Sequence, residues 1–132
     1  MIELTEEIVR EAMKRAKDDQ DKIIKEAESM MDTDELVGTI AVWGQEHGID
    51  NPDKQTVKLL EECGELAHEI VRNRYDSKLT EDAIGDIGVV LIILADILGY
   101  DFGDCLRLAY NEIKDRTGHT ESGSFIKDGE NS

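Results

Sequence analysis

The sequence predicts an all-α protein, folded as an antiparallel helical bundle. Apolar residues recur at three- and four-residue spacing along most of the chain, and strand-type alternation is scarce. The single proline stands where a helix would start. Short connections between long helical patterns make sequential helices antiparallel neighbours. The 132 residues suffice for one domain with a real core. With 39% hydrophobic and 35% charged residues the chain is highly charged, but periodic apolar clustering separates it from disordered sequences.

Thr5 caps a first helix, with Glu6 and Glu7 in its first turn, where the helix dipole favours acids. Ile8, Ala12, Ala16, Ile23, Ala27 and Met30 form a thin stripe, interrupted by Asp18, Asp19 and Asp21. Residues 1–32 therefore read as a helical arm, packing on the bundle or on a partner subunit. Thr33 or Asp34 caps a second helix, with Leu36, Val37, Ile40 and Trp43 inward and Gly48 closing it. Asn51 caps the third, with Pro52 at its first position, and this helix runs to about Arg74. After a connection over residues 75–79, Thr80 caps a fourth helix, with Glu81 and Asp82 in its first turn and Gly99 at its end. Asp101 introduces a fifth, from about Phe102 to Thr117. Residues 33–118 make the helical core, and 119–132 a polar tail with Phe125 and Ile126 as its apolar pair.

The fourth helix carries Ile84, Ile87 and a dense apolar run from Val89 to Leu94, covering every angle around its axis. Such a helix is buried on all sides. In a domain this small a second subunit must cover one side, so an oligomer is expected. Cys63 and Cys105 lie among apolar neighbours and read as buried thiols of a reducing compartment. No basic, apolar leader marks secretion, and the longest apolar run is far short of the roughly 20 residues that span a bilayer. The expectation is a cytoplasmic protein without a membrane partner. Fifteen basic against 31 acidic residues give a net charge of −16, which repels phosphate backbones and argues against nucleic-acid binding.

The chemistry lies in the acids. Glu62 and Glu65 stand three apart on the third helix, so their carboxylates lie side by side. The same pattern also fits a solvated acidic face. Asp86 sits just before the apolar run, beyond the stabilising first turn, and Asp82 one turn earlier. A buried carboxylate requires a cation or a metal. Oxygen ligands with few nitrogens suit Mg²⁺ or Mn²⁺ rather than Zn²⁺. Metal-assisted hydrolysis of a phosphoanhydride fits such a site. No GxxxxGK[ST] loop is present, and Lys58, Lys114 and Arg116 are the cations available for phosphates. A di-iron centre needs two Glu-x-x-His pairs on two helices. Glu65 and His68 form one, while neither His47 nor His119 has an acid three residues before it, so this alternative fails.

These residues resemble the MazG-like all-α nucleoside triphosphate pyrophosphatases, in particular the small single-domain members often found in bacteriophages. The resemblance covers roughly Asp34 to Lys127. It rests on Ile40-x-x-Trp43, on Gln55-x-x-Lys58-Leu59-x-Glu61-Glu62-Cys63-Gly64-Glu65-Leu66, and on Asp82-Ala83-Ile84-Gly85-Asp86-Ile87. It continues through Leu98-Gly99-Tyr100-Asp101 and from Ala109 to Arg116. It implies a four-helix core in a homodimer or homotetramer, acting on a nucleotide in the cytoplasm (the host cytoplasm for a phage protein). The implied reaction is Mg²⁺-dependent hydrolysis of an NTP or dNTP to the monophosphate and pyrophosphate. The family's paired acid motifs map onto Glu62 and Glu65, and their final acid onto Asp86. Ala83 stands where the family has Glu, with Asp82 or Glu61 as the replacement ligand. By the same resemblance Lys58, Asn111, Lys114, Arg116, Trp43 and Gln55 are the substrate-binding candidates. Two other functions share the pattern: a non-catalytic, partner-binding bundle of the same fold, and a hydrolase of a signalling nucleotide such as ppGpp.

Overall fold

A computed structural model describes residues 5–129. The described chain is mostly helical, with five helices and a two-stranded sheet, in two compact units divided after Leu36. In the first unit, α1 (Glu6–Ser29) is capped by Thr5, whose side chain accepts from Ile8 N–H at 3.3 Å. None of its residues is buried. The start of α2 (Thr33–Glu46) is a capping box: Asp32 accepts from Glu35 N–H at 2.8 Å and Glu35 accepts from Asp32 N–H at 3.2 Å. Asp32, not Thr33 or Asp34, is thus the cap, because only it has an acid three residues on to answer it.

The second unit holds the remainder of α2 with α3 (Pro52–Val71), α4 (Lys78–Ile97), α5 (Phe102–Ile113), β1 (Gly118–Glu121) and β2 (Ser124–Lys127). Gly44 lets α2 approach α4 closely, since a Cβ there would stand 3.1 Å from the Ile93 side chain. Beside it the Gln45 amide donates to Asp96 at 2.8 Å. Gly48, at φ 68°, closes α2 with Ile49 N–H bonded back to Gly44 O, a Schellman end.

Asn51 caps α3 as expected, accepting from Lys54 N–H at 3.1 Å, with Pro52 first in the helix. Asn73 stops it. At φ 57° this residue turns the chain left-handed, and Arg74 N–H bonds back to Glu69 O. The helix therefore ends at Val71, short of the expected Arg74. Ser77, not Thr80, caps α4 and accepts from Thr80 N–H at 3.1 Å. Thr80 is buried inside the first turn, where its hydroxyl donates to Arg74 O. This shift removes Asp82 from the first turn, and with it the dipole explanation for an acid there.

α3 and α4 run antiparallel. As position rises along α3 from Gln55 to Glu65, its neighbour on α4 falls from Val90 to Asp86. Of the apolar residues that recur at helical spacing along α3 (Leu59, Leu60, Cys63, Leu66, Ala67 and Ile70), the buried face takes only Leu59 and Leu66. Gln55, Leu59, Glu62, Leu66 and Glu69 are buried or half-buried, while Leu60, Cys63, Ala67 and Ile70 are exposed. A seam of alternating four- and three-residue steps thus puts two glutamates against α4. The core centres on α4 through Ala83, Val90, Ile92, Ile93 and Ala95. Burial is not complete around this helix, because Ile84 remains 58% exposed in the single chain.

Asp101 caps α5 through Asp104 N–H at 2.9 Å, and the helix axis turns 103° from that of α4. α5 ends at Ile113 rather than Thr117 and buries none of its residues. Cys63 and Cys105 are both exposed, contrary to expectation. The tail is not wholly irregular: β1 and β2 pair antiparallel, Glu121 opposite Ser124. Ser122 and Gly123, at φ 49° and 79°, supply the two positive dihedrals that a tight two-residue hairpin turn requires. Among the described residues no single helix is long and apolar enough to cross a membrane.

Candidate metal centre

The third and fourth helices bring three of the expected acids together. One carboxylate oxygen each from Glu62, Glu65 and Asp86 lies within 4.8 Å of the others. Their placement follows from the helix pair: Glu62 falls in the α3 seam, Glu65 is one turn on at its edge, and Asp86 meets them from α4.

Glu62 is the anomaly. Its side chain is only 8% exposed, and one oxygen, Oε1, receives the Lys58 ammonium at 3.0 Å. The other, Oε2, is buried with no hydrogen-bond partner among the described residues. An orphaned buried carboxylate oxygen costs free energy, on the order of 1–3 kcal/mol or more for a charged group. Lys58 lies at the rim, half-exposed, and also approaches Glu61 at 3.7 Å.

The electrostatics agree with a site short of positive charge. The neighbouring Glu62 carboxylate pushes the Glu65 pKa above its ordinary value, chiefly by repulsion, with burial and Asp86 adding to it. Burial raises that of Asp86, and Asp82 and Glu62 raise it further. The bond to Glu62 raises the pKa of Lys58. A single lysine does not neutralise the cluster. A divalent cation would, and its fit is marked by the orphaned oxygen and by a donor set of oxygens alone.

A groove of about 580 Å³ opens beside the cluster, lined by Glu65 and Asp86 but not by the buried Glu62, and also by Asp82, Glu61 and His68, with Ala83 among them. Asp82 and Glu61, the two candidates for the ligand missing at Ala83, thus both reach the groove but stand outside the cluster of three. Ala83 is itself buried. The other expected substrate contacts are not gathered here. Gln55 is buried and its amide donates to Val90 O at 3.3 Å, which ties α3 to α4. Trp43 stacks on His47 with ring centroids 4.1 Å apart, half-exposed and off the groove. Asn111, Lys114 and Arg116 are exposed at the end of α5 and beyond, and none lines it. Two titratable groove residues, His68 and Glu69, are not among the site residues expected from the sequence. Glu69 could have been found, since it continues the Glu62 and Glu65 face one turn further. It is held by Arg74 at 3.4 Å.

Over 69 residues the chain is 38% identical to an uncharacterized 18.2 kDa protein in the rep-hol intergenic region of Haemophilus phage HP1. The match takes in 50% of this chain and 41% of that relative, so the chain spans less than half the relative's length. The chain matches no protein-family model and no solved structure.

Proposed function

We propose that the protein is a Mg²⁺-dependent nucleoside triphosphate pyrophosphohydrolase, converting an NTP or dNTP to the monophosphate and pyrophosphate, as the MazG-like resemblance implies. The observation that carries this reading is the buried Glu62 carboxylate, one oxygen of which is unpartnered, clustered with the Glu65 and Asp86 carboxylates. These three acids would hold the ion, with Asp82 or Glu61 adding a further oxygen from the groove wall. When bound, Mg²⁺ or Mn²⁺ neutralises phosphate charge and orients a water for in-line attack. The chain's own part is to fix the carboxylates in advance. Two sit on one rigid helix and the third on its antiparallel neighbour, so no loop must order before binding. The groove of about 580 Å³ has room for a triphosphate, and its acidic walls exclude one that arrives without a cation.

The working unit in this proposal is a homodimer or homotetramer. Its support is apolar surface that the single chain leaves open: Leu60 on α3, Ile84 on α4, and Leu106, Tyr110 and Ile113 on α5 are all more than half exposed. A phage-encoded protein acting in the host cytoplasm suits both the resemblance and the phage relative. The same open faces favour a second reading, a partner-binding bundle that has lost catalysis with the acid at Ala83.

A panel of nucleotides, ppGpp included, incubated with Mg²⁺ and scored for pyrophosphate against orthophosphate separates these. Pyrophosphate release from a triphosphate, abolished by EDTA, supports the proposal. Release from ppGpp alone shifts the substrate class. No release from any nucleotide, with the fold intact, leaves the partner-binding bundle.

A further inference from the structure

We infer that Lys58 makes Glu62 a one-oxygen ligand and so gives the acidic site its preference for Mg²⁺ or Mn²⁺ over Ca²⁺. The inference rests on the metal site proposed above and goes beyond it to the choice of ion.

Lys58 Nζ stands 3.0 Å from Glu62 Oε1, a charge-assisted hydrogen bond to a carboxylate that is 8% exposed. This is not an ordinary surface pair. A lysine four residues before a glutamate is the less favourable order for stabilising a helix, and here the acid is buried while the lysine sits at the rim. The lysine stem lies along the helix and delivers its charge to the buried oxygen. The other oxygen, Oε2, is buried without a partner, in a carboxylate that offers one oxygen to the cluster with Glu65 and Asp86. Glu62 is therefore held in one orientation, with one oxygen engaged and one buried without a partner.

The two classes of ion use such a ligand differently. Mg²⁺ takes six ligands in a near-octahedral shell and keeps several waters, which single carboxylate oxygens suit. Ca²⁺ takes six to eight oxygens and commonly draws both from one carboxylate. To serve Ca²⁺ in that manner Glu62 must give up Lys58 and leave an ammonium beside the metal. Mg²⁺ asks for neither.

The test is calorimetric titration of the full chain with Mg²⁺ and with Ca²⁺, for the wild type, Lys58→Met and Lys58→Arg. The wild type is expected to bind Mg²⁺ more tightly than Ca²⁺. Lys58→Met should shift the ratio of the two affinities toward Ca²⁺ by about tenfold, while Lys58→Arg, which keeps a charged donor, should hold the wild-type ratio. A Lys58→Met protein with the ratio unchanged overturns the inference while leaving the metal site standing. A wild type that binds neither ion overturns both. A crystal structure of the wild type with Mn²⁺ gives an independent answer should Lys58→Met not fold. One Glu62 oxygen on the metal and the other still on Lys58 supports the inference. Both oxygens on the metal, or Lys58 turned away, refutes it.

Discussion

At the scale of single residues the site turns on carboxylates that repel one another. Folding raises the pKa values of Glu65 and Asp86 above their unfolded values. For an acid with a raised folded pKa, the contribution to stability is full below the unfolded pKa and is lost as pH rises through the folded one. Without divalent ions, these two groups should therefore make the protein less stable at pH 7 than at pH 4. Glu65→Gln and Asp86→Asn remove that slope, so each should melt at or above the wild-type temperature in EDTA at neutral pH. Thermal unfolding at several pH values checks this, and a lower melting point for both variants would mean that the acids are paired structurally. Glu62 and Glu65 were legible in the sequence because helical spacing puts their carboxylates on one face, and Asp86 because it stands before the apolar run beyond the usual first-turn acids. The burial of Glu62 was not. Of the apolar residues at helical spacing on α3, Leu59 and Leu66 join the seam that packs on α4 but Leu60 and Cys63 do not, and Gln55, Glu62 and Glu69 take their place. A helix rotates to satisfy its partner, and single-helix periodicity does not contain that partner.

Among the elements, end signals carried most of the information. Thr5, Asn51, Asp101, Gly48 and Gly99 act where the sequence placed them. The α4 start was misread because Ser77 and Thr80 both suit a cap. The burial of Thr80, which decides between them, depends on the chain reversal at Asn73. The hairpin at Ser122-Gly123 was open to detection, since a Ser-Gly step between short extended segments is a turn signal. The close approach of α2 to α4 was not open to it. A glycine inside a helix reads as a weakness until its neighbour is known, and here the neighbour is Ile93. Gly44→Val should push these helices apart and lower stability by about 1–3 kcal/mol, the usual cost of overpacking. Denaturant unfolding measures it. A stability equal to wild type would show that α2 docks elsewhere.

For the molecule as a whole, the all-α character was legible and the degree of self-burial was not. A second subunit was expected to cover one side of α4, and in the single chain Ile84 stays open, as do Leu106, Tyr110 and Ile113 on α5. Hydrophobic pattern records what must be covered and does not say by which chain. Ile84→Asp distinguishes the two cases, because Ile84 is 58% exposed in one chain and the change should leave an isolated fold intact. If a second subunit covers it, an unpaired charge is buried in the interface and the assembly dissociates. Light scattering at micromolar concentration should then show wild-type oligomers and variant monomers. A monomeric wild type with the same helix content would contradict the oligomeric proposal.

The metal centre is the claim on which the proposed chemistry depends, and Mg²⁺ titration followed by melting temperature addresses it directly. The wild type should gain stability with Mg²⁺ concentration as RT ln(1 + [L]/Kd), the form expected when the native state alone binds. Asp86→Asn, folded to the same helix content, should lose most of that gain. A wild type indifferent to millimolar Mg²⁺ and Mn²⁺, or an Asp86→Asn protein stabilised as fully as the wild type, would contradict the assignment of Glu62, Glu65 and Asp86 as the metal centre.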